Sequence, residues 1–597
     1  MNSDKYRSEV AAAIAKAVKR IYPDVVDIEH DLRESSIRNS FEKPKDPTMG
    51  RFALPMFKYT RLLKDKPQEI AAKVSEEVNR ILGTSAVCST VNISGFVNVR
   101  VEFNSLATET IRQILTLESR YGDSDIGQNR KYLVEYSSAN IAKPFGIGHL
   151  RSTVIGNSLR RINRKLGYDV MGINFLGDWG TQFGKMIIAY RKWGGDVNLE
   201  DNAVSELLDL YVRFHREAEK DDSLNEEARL AFKMLEDNNP EARKLWDKFK
   251  AISMAEFDRI YRILGVEFDW VTGEAFLNDK MNAVIERLQK SGLTKLSDGA
   301  LIVDLDDPQL PPCLLRKGDG ATLYATRDLA GLIYRWDSYR FAESLYVVGS
   351  EQADHFKQAF KVIAMLEDAE NLSEDDRMTG RVKHIGFGWV RFGAQKLSTR
   401  EGRIIFLEDV IDKAVALAKE KIREKNPDLR KIDETALMIG VGAVIFAQLS
   451  VRRLKDVNFI WEEVLNFEGE TGPYLQYTHA RLCSLMRNYI GEIDYKFNTT
   501  LLDKDEECRV IELLADYPSA IEDAASAYDP HIIAVYLLKL SGAFNKVYQR
   551  KNDRGRIDKI ISEDNNLSRA RMALVKSVQI VIRDGLWLLG LQAPEEM

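Results

Sequence analysis

The chain is 597 residues long, 45% hydrophobic and 29% charged, the composition of a globular protein with room for roughly three to five domains. Its formal net charge of −6 excludes a uniformly basic nucleic-acid binder, so any polyanion must be met by local clusters. The widely spaced cysteines Cys88, Cys313, Cys483 and Cys508 exclude a CxxC zinc site or a disulfide framework and fit reduced thiols in the cytoplasm.

In chain order, residues 1–118 read as a small α/β module. An amphipathic helix over 3–22 carries no apolar leader segment, and is followed by a strand over 51–57, a helix over 68–82 and an alternating strand over 96–103. Gly122-Asp-Ser-Asp125 marks a linker. Over 119–406, apolar runs at 132–136, 301–303, 345–348 and 384–387 alternate with helical patterns, which predicts a Rossmann-like, doubly wound parallel sheet. The charged text between about 192 and 295 reads as a helical insertion over that sheet. From 407 to 597 nearly everything is helix-periodic, an all-α bundle. The longest apolar run, 437–447, is too short to span a bilayer and reads as a buried helix.

Two segments carry chemistry. Directly after the run at 132–136 stands Asn140-Ile-Ala-Lys143-Pro-Phe145-Gly146-Ile-Gly148-His149-Leu-Arg151-Ser-Thr153, leading into a helical pattern near His149. Strand, glycine turn and helix start together make a phosphate site: Gly146 and Gly148 admit a nucleotide to the backbone, and the helix offers N–H groups and a positive dipole end. His149 adds a donor, and Lys143 and Arg151 add charge; the same spacing also occurs in plain tight turns. The second segment, Gln395-Lys396-Leu397-Ser398-Thr399-Arg400-Glu401-Gly402-Arg403, is either a solvated hairpin or a loop that closes over a triphosphate. Two basic stretches remain, Arg151/Arg160/Arg161/Arg164/Lys165 and Lys539/Lys546/Arg550/Lys551/Arg554/Arg556; each is either a solvated helix face or a polyanion contact.

The first segment resembles the HIGH signature of class I aminoacyl-tRNA synthetases, and Lys396 to Arg400 resembles their KMSKS loop. The blocks Leu176-Gly-Asp178-Trp179-Gly180-Thr-Gln182, Leu323-Tyr324-Ala-Thr-Arg327-Asp328, Phe467-Glu-Gly-Glu-Thr-Gly-Pro-Tyr-Leu-Gln476-Tyr-Thr-His-Ala-Arg481 and the ending 589–597 resemble the arginyl-tRNA synthetase family over essentially the whole chain. The resemblance implies ATP-dependent ligation of L-arginine to tRNA(Arg) through an arginyl-adenylate, releasing AMP and pyrophosphate, with Mg²⁺ carried on ATP and activation dependent on bound tRNA. It implies ATP contacts from Phe145, Gly146, Gly148, His149, Lys396, Leu397 and Ser398, with Lys143, His149, Lys396 and Arg400 as the catalytic set. Arginine would be held by Asn140, Glu274, Tyr324, Asp328 and Gln352. The residues support that substrate: Tyr324 and Asp328 share one helix face, and a carboxylate beside a phenol suits a planar guanidinium.

Two positions depart from the family pattern. Gly146 replaces the first histidine of HIGH and Thr399 the second lysine of KMSKS, while Glu401 stands where the family often has a base; Lys143 then carries the displaced charge. For tRNA, the resemblance assigns 1–118 to the elbow of the L-shaped molecule, with Phe96 and Asn98 on an unstacked D-loop base. It assigns 407–597 to the anticodon, with Tyr477, Phe544, Asn545, Tyr548 and Met597 as contacts. The expected protein is a cytoplasmic monomer with no membrane contact. A catalytically silent tRNA-binding paralogue and a small-molecule nucleotidyltransferase are the alternatives.

Overall fold

The computed structural model describes the chain apart from residues 1, 24, 26–31, 45, 47–48, 84–86, 144, 198–202, 319–323, 392–405 and 553, and apart from the side chains of 2–5, 39, 196 and 324. It comprises two compact units. Residues 1–123, 482–521 and 539–584 form the first, and 124–481, 522–538 and 585–597 the second.

In the first unit, β1 (Phe52–Pro55), β2 (Cys88–Ile93) and β3 (Phe96–Val101) form an antiparallel sheet of order β1-β3-β2. The sequence reading missed β2, which is short and half polar. Its hairpin turns on Ser94 and Gly95, both left-handed at φ 52° and 84°, the backbone a two-residue turn needs. Helices Asn2–Ile21 and Pro67–Leu82 bury Val10, Ile14, Val18, Val74 and Val78 in one core with Leu54, Val97 and Val99 of the strands. β3 stops at Val101 because Glu102 caps the helix Phe103–Leu117, accepting from the amides of Asn104 (2.9 Å) and Ser105 (2.6 Å). Chain segments from the far end complete the unit: Asp516 pairs with Arg51 (2.6 Å) and Lys43 (2.7 Å), and Tyr121 donates its hydroxyl to the Leu514 carbonyl (3.0 Å).

The second unit is built on five parallel strands, β4 (Lys131–Glu135), β5 (Asp169–Leu176), β6 (Trp270–Gly273), β10 (Glu343–Tyr346) and β11 (Val382–His384), in the order β11-β10-β4-β5-β6. Strand order reverses between β4 and β10, so the crevice beyond their carboxyl ends is the topological switch point where such sheets bind ligands. The helix Ile147–Lys165 lies close to β4. A Cβ on its Gly156 would fall 2.1 Å from Cβ of Tyr136, so only glycine lets the helix approach.

The parallel, doubly wound fold agrees with the sequence reading, but two strands do not. Trp270–Gly273, read as part of the helical insertion, is a sheet strand; the insertion's helices Ala203–Ala218, Ser223–Glu236 and Pro240–Leu264 precede it. Residues 301–303 leave the parallel sheet and join β7 (Thr294–Ser297), β8 (Ala300–Val303) and β9 (Cys313–Arg316) in a separate antiparallel one. Beyond 406 the chain is helical except for β13 (Val457–Asn458), which pairs with β12 (Val390–Arg391). The apolar run at 437–447 belongs to an 18-residue helix, Ile432–Leu449. By length and composition it is long enough to cross a membrane, but 67% of it is buried in the fold.

Candidate functional site

Between β4 and the glycine helix the backbone is strained. Ser137, Ser138 and Ala142 have φ of 74°, 50° and 61°, costly for residues with a side chain. Side-chain hydroxyls hold the loop there. Ser152 Oγ accepts from the Ser137 amide (3.0 Å) and donates to the Val347 carbonyl (2.6 Å), and Ser253 Oγ accepts from the Ala142 amide (2.9 Å). The helix starts at Ile147, two residues before the expected point, with extended Gly146 as an N-cap that makes no side-chain cap. Gly148 is exposed and has no atom within 4 Å of where a Cβ would stand, so a phosphate can approach the first turn closely.

Burial, and secondarily the charge of Lys143, hold the His149 imidazole down at about 4, so it is neutral at pH 7. Its Nδ1 is screened from solvent and has no hydrogen-bond partner among the described residues. Lys143 Nζ lies 5.9 Å from the centroid of the Tyr211 ring on the Ala203–Ala218 helix.

Two side chains of this segment turn inward. Phe145 is 2% exposed and packed against Phe257 and Tyr261, with ring centroids 5.7 and 5.5 Å away, so its ring is part of the core. Arg151 supplies no charge to a phosphate: it is wholly buried and donates to the carbonyls of Gly388 (2.8 Å), Lys455 (2.6 Å) and Arg452 (3.3 Å). Three more arginines of the first basic stretch also have partners within the fold. Arg160 and Arg164 pair with Asp269 at 3.1 and 3.0 Å, and Arg161 donates to the carbonyls of Trp587 and Gly265.

Around the switch point the fold gathers acids. Asp328 stands on the helix Tyr324–Tyr339, whose first residue Tyr324 has its side chain outside the described set. His355, on the helix Ala353–Ala369 after β10, contacts Asp328 Oδ2 through Nε2 at 2.5 Å. The Asp328 carboxylate raises the imidazole's pKa, favouring the cation. Oδ1 of Asp328 has no hydrogen-bond partner among the described residues. Gln352 is exposed at the start of the same segment.

Glu274 follows β6 directly. Burial lifts its carboxyl to about 7 against the pull of Arg327 (3.7 Å), and the charges of Asp328 and Asp178 push in the same direction as burial. The charges of Glu274 and Asp328 are therefore close enough to act on each other. Asp178 fixes the turn that carries Glu274. It is 1% exposed, accepts from the Ala275 amide (2.9 Å) and is paired with Lys250 (2.8 Å). Asn140 bridges to Gly177 beside it, where any Cβ would meet Asn140 Oδ1 at 2.2 Å, so Leu176-Gly-Asp-Trp-Gly requires its first glycine. Below, buried Glu135 pairs with Arg335, whose guanidinium lies near the rings of Phe175 and Tyr346.

If Glu274 holds the arginine guanidinium, as the family resemblance implies, that binding depends on pH. A cation is held best by ionised Glu274, which carries a proton below about pH 7, so affinity for arginine should rise as pH passes through that value and then level. Between about pH 6 and about pH 8 the dissociation constant is expected to fall about tenfold. Isothermal titration of arginine reads this directly, and Glu274→Gln should lose most of the rise.

The contacts of Asp178 beside Glu274 and of His355 with Asp328 were not foreseen from the sequence. The acid between two glycines was the available signal for the first; His355, three residues after Gln352, carried none. Lys396, Leu397, Ser398, Thr399 and Arg400 lie outside the described residues. Of the proposed RNA contacts, Phe96 is half-buried and edge-on to exposed Phe57 (5.3 Å), whereas Asn98 is 2% exposed and donates to the Phe96 carbonyl at 3.4 Å. Phe544 is fully buried, a core ring that cannot stack on a base in this conformation; Asn545 and Tyr548 are half-buried. Tyr477 is half-buried beneath Arg481 (4.7 Å) and Lys425 (5.8 Å), and the Met597 carbonyl accepts from Asn426 (3.2 Å). Gln476 and His479 strap the last residues down through the carbonyls of Gln592 (2.8 Å) and Pro594 (2.9 Å).

Residues 110–461 match the model of the class I (R) tRNA synthetase catalytic domain, 5–101 the arginyl-tRNA synthetase N-terminal domain and 475–597 the DALR anticodon binding domain. The strand order, the glycine helix and the acids at the switch point thus belong to a class I aminoacyl-tRNA synthetase. Curated relatives narrow the class. The arginine–tRNA ligase of Clostridioides difficile is 42% identical over 95% of this chain and 97% of its own, and that of Clostridium botulinum 44% over the same shares. The Thermus thermophilus arginyl-tRNA synthetase structure shares the fold with a TM-score of 0.81 at 23% identity, covering 99% of this chain and 100% of that one. This chain belongs to the arginyl-tRNA synthetase family.

Proposed function

We propose that the protein ligates L-arginine to tRNA(Arg) in two steps. The arginine carboxylate attacks the α-phosphorus of ATP, expelling pyrophosphate and leaving arginyl-adenylate; a terminal adenosine hydroxyl of the tRNA then attacks the activated carbonyl and releases AMP. The observation that carries this reading is the acidic pair Glu274 and Asp328 at the switch point, in the unit that also holds an uncapped glycine helix start. One binds the cationic side chain and the other receives phosphate, so the α-carboxylate between them can meet the α-phosphorus. Asn140 holds the amino acid's polar head, Gln352 and Tyr324 complete the pocket, and the 396–400 loop with Lys143 stabilises the departing pyrophosphate.

Mg²⁺ enters with ATP as part of the substrate. Residues 1–118 meet the tRNA elbow, 119–406 perform the chemistry and 407–597 meet the anticodon. The enzyme works as a cytoplasmic monomer away from membranes. A charging assay with ATP, labelled arginine and purified tRNA tests the reading. Acid-stable arginyl-tRNA is expected, and tRNA binding without arginine-dependent acylation would refute it.

A further inference from the structure

The two basic stretches of the sequence part company in the structure. The arginines of the first have partners within the fold. The second divides: Arg550 is drawn into a network with Asp558 (2.6 Å) and Glu507 (3.0 Å), closed by Arg571 on the same two acids at 2.8 and 2.9 Å. The residues that follow are not helix but a tight turn. Lys551 bridges to Ile557, the Asn552 amide donates to the Arg556 carbonyl (2.7 Å), and the Gly555 amide donates to the Asn552 carbonyl (2.8 Å). Asn552 Oδ1 accepts from the amides of both Arg554 and Arg556 at 3.1 Å, and Gly555 supplies the left-handed φ of 70°. Lys551, Arg554 and Arg556 are exposed, and none has an ion-pair partner among the described residues.

We propose that the 551–557 turn is a phosphate-gripping finger for the tRNA backbone, an inference that rests on the tRNA reading above. Lys551, Arg554 and Arg556 against Asp553 give residues 551–557 a local charge of +2 on a chain of net charge −6. The turn is locked at its tip by Asn552 and at its base by the Arg550–Asp558–Arg571–Glu507 network, so the charges are presented with little ordering cost. Two of the three are guanidinium forks, which fit phosphate oxygens in pairs. The helix His531–Gln549 leads straight into the turn and carries the base-contact candidates Asn545 and Tyr548 in its last turns. Phosphate contacts set register without reading sequence, so the finger would tighten binding equally for any tRNA that fits.

The test is anisotropy with two labelled tRNA transcripts, with and without an arginine anticodon, from about 50 to about 300 mM KCl, comparing the full chain with its K551A/R554A/R556A variant. The variant should flatten the dependence of log K on log salt by about 2 and weaken binding on the order of 10- to 100-fold at the low-salt end, by the same factor for both transcripts. The R554K/R556K variant should keep most of the slope. An unchanged slope in the alanine variant overturns the proposal while leaving the tRNA reading intact, and so does a loss that differs between transcripts. A lysine variant that behaves like the alanine one shows that the turn acts through its fold, which also overturns it. A wild-type chain that binds neither transcript removes the tRNA reading and this inference together.

Discussion

Replacing Asp328 by alanine should raise the KM for arginine by roughly 100-fold or more, on the order of 3 kcal/mol, while tRNA affinity stays at its wild-type value. The carboxylate is held by His355 through Oδ2. That contact restrains the plane of the group and leaves Oδ1 able to accept from a guanidinium. Removing the acid costs a charge-assisted hydrogen bond to the guanidinium, and it also removes the carboxylate that favours the His355 cation, so the loss is that of the acceptor itself. Glu274 cannot substitute: it is the more buried acid, and near neutral pH it is ionised only in part. Asp328→Asn preserves shape and should recover little, since the missing element is charge. Steady-state charging at varied arginine measures the effect, and an unchanged KM would remove Asp328 from the pocket.

Arg151→Met should destabilise the second unit by about 3–5 kcal/mol, read as a fall in the urea midpoint. The guanidinium satisfies three carbonyls at once, those of Gly388, Arg452 and Lys455, from the interior of the fold. Methionine fills the volume but leaves the Gly388 and Lys455 oxygens without this donor, each costing about 1–3 kcal/mol, while the Arg452 oxygen keeps the Lys455 amide (2.9 Å). Part of that loss is returned, because burial already opposes the arginine's charge and brings its pKa down to about 10. The three carbonyls flank β12 and β13, and β12 is the last described strand before the 392–405 segment. Arg151 thus ties the glycine helix to the root of the KMSKS-like loop. The kcat of Arg151→Lys should fall more than its KM for arginine rises; a loss below about 1 kcal/mol in the methionine variant would refute the account.

The sequence was readable where one local rule decides the outcome. Strand 132–136, the glycine turn and the apolar runs at 345 and 384 announce a parallel sheet because buried strands need continuous apolar text. Trp270–Gly273 was hidden because four residues between helices give no period to read, and its place in the sheet comes from pairing with β5. Charge was the least legible property. Arg151 looked like a phosphate ligand and Arg550 like a surface cation, yet both are interior. Whether an arginine meets solvent, an acid or a carbonyl is settled by the tertiary fold: the carbonyls that hold Arg151 lie 237 to 304 positions away, and Glu507 lies 43 from Arg550. His355 was opaque for the same reason: its partner Asp328 lies on another helix, 27 residues earlier.

The first unit is sewn together from both ends of the chain. Lys43 and Asp516 are 473 residues apart, and the Arg51 and Tyr121 contacts span similar separations. On a ribosome adding about 5–20 residues per second, the N-terminal module emerges and then waits roughly 25–95 s for the helices that complete it. Throughout that interval the surface bearing Lys43, Arg51 and Tyr121 is open to other molecules. Synthesis therefore imposes an order on this protein: its first module to be made is among the last to be finished, and a chain cut short before residue 516 has nothing to close it.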